Sequence, residues 1–233
     1  MRLRLHCVVW LVLVMPLFSS ETIDRIVATV NGRPVMESEL VEQLRFEQFL
    51  AGKPAQLVPI AEQRTALGRL IDQMLLEQQM DAASFPHPDA DEINKKVQEL
   101  RQQLAPSAAA WEQTLARSGL SDADISEHVA SQLRTLHFID ARFRPAIRVD
   151  PGAVEAYYRE QFAPKIKAAG AQPVPMKQVE PRIREILMQQ QVDDLLENWL
   201  KSLRTQSEIR LPVPSSAAGA LQPAAQAHAA EAR

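Results

Sequence analysis

Histidines, cysteines and paired carboxylates could carry catalysis or hold a metal, and this 233-residue chain offers few of them in useful patterns. Its five histidines are His6, His87, His128, His137 and His228, with no HExxH pair and no histidine-rich tract. His128 and His137 stand nine residues apart. At about 100° per residue that puts them on opposite faces of one helix, so they cannot share a metal ion. All five read as solvent-exposed side chains. The acidic runs Asp89–Glu92 and Asp193-Asp194 read as solvated helix faces rather than acid–base pairs. No G-x-S-x-G elbow, P-loop or GxGxxG turn is present. The expectation is a protein without catalysis, cofactor or metal, whose function lies in its surfaces.

The first twenty residues have the pattern of an export signal. Arg2 and Arg4 make a basic start, and Cys7–Phe18 is an apolar run of twelve residues. That is shorter than the ~20 residues a membrane helix needs. Ser19 and Ser20 are small enough for cleavage, but Leu17 and Phe18 fit an A-x-A site poorly, and retention as an anchor is the alternative. Cleavage would remove Cys7, the only cysteine, and with it any disulfide, thiolate chemistry or cysteine-based zinc site. It would also leave 24 basic against 29 acidic residues, a net charge of −5. No basic stripe is present, so nucleic acid is not the expected partner. The reading is a periplasmic protein with no stable membrane span after cleavage.

The elements that shape the surfaces begin at Ile23–Leu50, IDRIVATVNGRPVMESELVEQLRFEQFL. Alternation over Ile26–Val30 predicts a strand, and Asn31-Gly32 suits a two-residue type I′ turn. Pro34 lacks an N–H, which makes Arg33–Met36 a short edge strand. Ser38 is the expected cap of a helix with Glu39 in its first turn. So small a hairpin is unstable alone, and the alternating Ser207–Leu211 is the expected partner strand. Between them, Leu67, Leu70, Ile71, Met74 and Leu75 form one helical stripe, and Ile93, Val97, Leu100 and Leu104 a narrower one. Trp111 and Leu115 anchor a short helix stopped by Gly119. Ser121 with Asp124 resembles a capping box and opens a helix with Ile125, Val129, Leu136, Ile139 and Phe143 on one face. Asp150-Pro151 starts another, carrying Val154, Tyr157, Tyr158 and Phe162. Residues 163–177 read as a loop, Val179–Leu203 as the last long helix, and 212–233 as a disordered tail.

Two helices carry more apolar surface than one core requires. In the first, Leu40, Val41 and Leu44 face one way and Phe46, Phe49 and Leu50 roughly the other. In the last, Val179, Ile183, Ile186 and Leu187 form one stripe. Val192, Leu195, Leu196, Trp199, Leu200 and Leu203 form a second, about half a turn round. Packing between two layers accounts for this. So does a cradle whose open face receives apolar segments of other chains.

The Val-Asn-Gly strand end, the short run through Arg33–Met36 and the Glu-Ser-Glu-Leu helix start (37–40) resemble the opening of the SurA/PrsA-type periplasmic and extracytoplasmic foldases. The later segments VDPGAVEAYYREQF and DDLLENWLKSLRTQSEIRL follow in the family's order, so the resemblance covers most of Ile23–Leu211. It implies a mainly α fold, a SurA-like helical module with a small sheet made by the N-terminal hairpin and the C-terminal strand. The expected division is a signal at 1–20 and a module at 21–211, with parts 21–162 and 178–211 flanking the linker. In that family parvulin-type prolyl isomerase domains lie between the Tyr-Tyr helix and the final helix. Here Phe162 and Val179 are joined by sixteen residues, which leaves the client-binding role without the isomerase. The resemblance thus implies ATP-independent binding of unfolded or nascent exported polypeptides, outer-membrane proteins among them. Phe46, Phe49, Leu50 and Phe138 are the client-contact candidates. A dedicated assembly adaptor for one folded partner, or a homodimer built through the same faces, is the alternative use of the apolar surface.

Overall fold

Two residues with positive φ start the fold. Asn31 at 51° and Gly32 at 82° turn β1 (Ile26–Val30) back on β2 (Arg33–Met36) in an antiparallel pair, as a type I′ turn requires. A computed structural model describes residues 24–105 and 107–212; the export-signal segment and Cys7, and the tail from residue 213, lie outside the described residues. The strand order is β2-β1-β3. β3 (Ile209–Arg210) pairs antiparallel with the free side of β1, setting Thr29 opposite Arg210 and Val30 opposite Ile209. The far end of the chain therefore completes the sheet, and Pro34 lies on an edge strand where its missing donor is harmless.

Asn31 fastens this closure with its side chain as well as its backbone. Its N–H donates to the Glu208 carbonyl at 2.9 Å, and its Oδ1 accepts from the Glu208 N–H at 2.9 Å. Its Nδ2 donates to Gln78 Oε1 at 2.7 Å and to Ser207 Oγ at 3.2 Å. Gln78 in turn donates to the Val30 carbonyl at 3.2 Å. One side chain thus joins the hairpin, a helix and the last strand.

The helices are α1 (Glu37–Leu50), α2 (Ile60–Ala82), α3 (Ala90–Leu104), α4 (Ala108–Ser118), α5 (Asp122–Phe143), α6 (Pro151–Tyr157), α7 (Ala163–Ala168) and α8 (Met176–Gln206). They build three small cores rather than one. Phe46 and Phe49 of α1 meet Val97, Trp111, Ile125 and Val129 from α3, α4 and α5. Phe49 meets Trp111 edge to face at 5.5 Å between ring centroids, and the indole N–H donates to Asp122 at 2.8 Å, so a large apolar group is buried with its polar atom satisfied. Under the sheet, Ala28, Val30 and Val35 pack on Ile71, Met74, Leu75 and Leu203. The third core gathers Ile139, Ile147, Val149, Val154, Ile183 and Val192, with Tyr157, Tyr158 and Phe162 against it.

The capping box at Ser121 forms as expected: Ser121 N–H donates to Asp124 at 2.7 Å and Asp124 N–H to Ser121 Oγ at 3.2 Å. Asp150 likewise caps α6 through the Ala153 N–H at 3.2 Å. Ser38 does not cap α1. The helix begins earlier, at Glu37, and the Ser38 N–H and hydroxyl both donate to Asp24, the N–H at 3.1 Å. Residues 163–177 are not all loop either. A π-turn over Tyr158–Phe162 carries the chain into α7, and Tyr158 donates its hydroxyl to the Val174 carbonyl at 2.8 Å. In α8, Ile183 and Val192 are nine residues apart and both buried, which covers the helix on two sides. Its neighbours are α2, α5 and α6; Val192 and Leu203 of the second stripe are buried, whereas Leu195 stays exposed.

Asn31→Gly keeps the turn and deletes the side-chain bonds. We expect it to lower unfolding free energy by about 1–2 kcal/mol in urea denaturation. Amide exchange should rise first at residues 208–210; unchanged exchange there would remove Asn31 as the fastener.

Candidate functional site

The largest apolar residues of α1 point into the first core, which leaves Leu40, Val41 and Leu44 to shape its outer side. Val41 is 37% exposed. The segment after the helix crosses this side, turned by Gly52 at a φ of 66°. Gln48, buried beside Phe49, holds it there. Its Nε2 donates to the Gln56 carbonyl at 2.9 Å and its Oε1 accepts from the Gln56 N–H at 3.0 Å, so a side-chain amide stands in for a strand partner. The Ala55 N–H donates to the Arg117 carbonyl at 3.1 Å, and Gln63 donates to the Val58 carbonyl at 2.9 Å.

Between this strap and α1 lies a cavity of about 300 Å³ lined by Leu40, Val41, Leu44, Leu57 and Val58. Leu57 is 75% exposed and Ile60, at the start of α2, is 65% exposed. The exposed Val41 and Leu57 both line this concavity, so apolar exposure here is clustered rather than scattered. A second groove of about 440 Å³ runs between α2 and α5, with Leu76, Thr135 and the exposed Leu136 along it.

The four contact residues expected from the sequence fare differently. Phe46, Phe49 and Phe138 are buried and cannot meet a partner while the protein is folded as described. Phe46 is covered by His128, whose ring stacks on it at 4.2 Å. Phe138 is covered by Phe85 and Trp199, at 5.2 Å and 6.0 Å between centroids. Leu50 alone is open. Leu136, expected on the buried stripe of α5, changes places with Phe138, because that helix passes from the first core to the third and its neighbours change along its length. His128 is also not the exposed side chain expected, with only 16% of it reaching solvent and Glu42 3.2 Å from its Nε2.

Four carboxylates are tuned for structure, Asp24 and Asp124 beside the α1 groove and Glu185 and Glu197 on α8. The Ser38 hydroxyl and N–H hold Asp24 below the usual carboxylate range, and the Ser121 N–H does the same for Asp124. Glu185, bonded by Arg144, and Glu197, bonded by Lys201, move the same way. A general acid at neutral pH needs the opposite shift. Among the described residues no group of three or more histidine, cysteine, aspartate or glutamate side chains is placed to hold a metal, and no helix is long and apolar enough to cross a membrane.

No protein-family model matches the chain, and no curated protein matches it. Among solved structures, one from Campylobacter jejuni superimposes with a TM-score of 0.50 at 10% identity, covering 80% of this chain and 98% of that one. It comes from work describing the virulence factor PEB4 and the periplasmic protein Cj1289 as two structurally related SurA-like chaperones. The fold is SurA-like: mainly helical, with a small antiparallel sheet that closes the two ends of the chain.

Substitutions separate groove from core. Leu57→Ser should leave stability within about 0.5 kcal/mol of the parent, whereas Phe49→Ser should lose about 3–5 kcal/mol in urea denaturation. The acid side of the stability profile tests the carboxylates. Asp24, Asp124 and Glu185 are lowered in the folded state, so their contribution is complete above the unfolded value of about 4 and disappears as pH falls through the lower folded values. Thermal midpoints should hold from about pH 8 to 5 and drop below pH 4. Ser121→Ala should lower the plateau by about 0.5–2 kcal/mol and soften that drop; an unaltered acid limb would contradict the assigned cause.

Proposed function

We propose that the chain is an ATP-independent holding chaperone for unfolded exported polypeptides, outer-membrane protein precursors among them, acting in the periplasm. The observation that carries this reading is the concave apolar surface of Val41, Leu44, Leu57 and Val58. The likeness of the fold to SurA-like chaperones supports it, as does the export-signal pattern at residues 1–20 for the compartment. The groove is open, and its strap is tied mainly by hydrogen bonds to Gln48, Gln63 and Arg117. Apolar side chains of a client would lose water there without entering a closed cavity, so binding is weak and release needs no energy source. Ordering a flexible client opposes binding by several kcal/mol, in keeping with short-lived contacts.

We further propose that it lacks prolyl isomerase activity. The connection between the Tyr158–Phe162 turn and α8 consists of the six-residue α7 and a short loop. Tyr158 pins that loop through the Val174 carbonyl, which supports a direct connection where the resembled family inserts its catalytic domain.

Light scattering from a diluted, denatured outer-membrane protein tests the holding role. Purified protein should suppress aggregation in a dose-dependent way without ATP. Val41→Asp with Leu57→Ser should raise the concentration needed by at least about fivefold, as expected for about 1 kcal/mol of lost binding, with no change in melting. No suppression by folded protein in excess would overturn general holding and favour a dedicated adaptor. Proline-isomerase turnover on a short peptide would overturn the second proposal.

A further inference from the structure

Resting on the holding role above, we infer that the groove over α1 selects extended client segments in which an apolar side chain lies close to a lysine or arginine. The apolar cavity does not end at α1. It shares Glu37, Val41 and Arg45 with an adjoining cavity of about 590 Å³, so the two lie on either side of one ridge of the helix. The second cavity is lined by Asp24, Glu37, Glu42 and Asp124, against Arg45 alone among basic residues.

The acidic lining is only partly neutralised. Arg25 reaches Glu37 at 2.9 Å. The Arg45 guanidinium lies against Gly119, within 3.8 Å of where a Cβ would stand there. The partners of Asp24 and Asp124 are hydroxyl and backbone N–H groups, which leave their charge in place. The basic group at Glu42 is His128 at 3.2 Å, which is charged only when protonated. A cation on the bound chain supplies what this lining lacks, whereas a carboxylate there is repelled. Val41 lines both cavities and Glu42 is the next residue, so the apolar and acidic subsites lie close together along a bound chain. One apolar side chain can then rest between Val41 and Leu57 while a lysine or arginine reaches Glu42.

Fluorescence anisotropy with two labelled ten-residue peptides tests this on the whole protein. They share a central phenylalanine and carry either lysine or glutamate three residues on. The lysine peptide should bind roughly twofold to fivefold tighter at low ionic strength, the range of one exposed ion pair, and the gap should close in salt. Glu42→Gln should narrow the gap without shifting the melting temperature, and Val41→Ser should weaken the lysine peptide as well. Equal binding of both peptides, insensitive to Glu42→Gln but with aggregation still suppressed, overturns the charge selection and leaves holding intact. Failure of both peptides together with failure to suppress aggregation overturns holding itself. A dimer that Val41→Asp converts to monomer, in light-scattering mass measurements, would make a second copy the occupant and overturn the inference.

Discussion

β1 is the central strand of the sheet, and it takes one partner from next door and the other from the far side of the module. That pairing organises the molecule. β3 pairs through only two residues, too few to hold by themselves, so side chains reinforce it. Asn31 bonds to residues 207 and 208. One helical turn earlier, Arg204 donates to Asp72 at 2.5 Å and to the Gly68 carbonyl at 2.8 Å. The last helix is thereby clamped to α2, and Leu203 completes the core beneath the sheet.

With both ends tied together, the helices between them form two further cores, each with its own aromatic or β-branched centre. α5 spans the distance, giving Ile125 and Val129 to one and Ile139 to the other. Ion pairs between helices act as spacers: Glu47 with Arg69, Arg134 with Asp81, Arg144 with Glu185. These are surface pairs of small energy, so the stability of the frame rests on burial within each core. One groove lies between α1 and the strap that follows it, the other between α2 and α5.

Much of this arrangement was legible in the sequence because it is local. Asn31-Gly32 gives the turn and Ser121 with Asp124 gives a helix start. The stripes of α2 and α3 are the faces that pack. The sheet partner was also readable, since an isolated hairpin needs one. What local pattern cannot give is which of two apolar faces is covered. In α1 both faces are equally periodic, and the choice depends on Trp111, more than sixty residues on, whose indole receives Phe49. The same ignorance of neighbours exchanged Leu136 and Phe138. Ser38 looked like a cap because the type and position were right, yet Asp24 claims it from across the hairpin. Gln48 gave no signal at all: a glutamine between Glu47 and Phe49 says nothing of a backbone segment that needs its amide.

The position of β3 in the chain also sets a timetable. Synthesis delivers the hairpin and its turn first and their partner strand nearly last, so the core under the sheet has no Leu203 and no third strand until almost the whole module has been made. The first core needs only residues up to about Val129 and can gather earlier. Through most of its own production the nascent chain therefore displays the uncovered apolar surface characteristic of an unfinished protein. It leaves that condition when its last strand arrives.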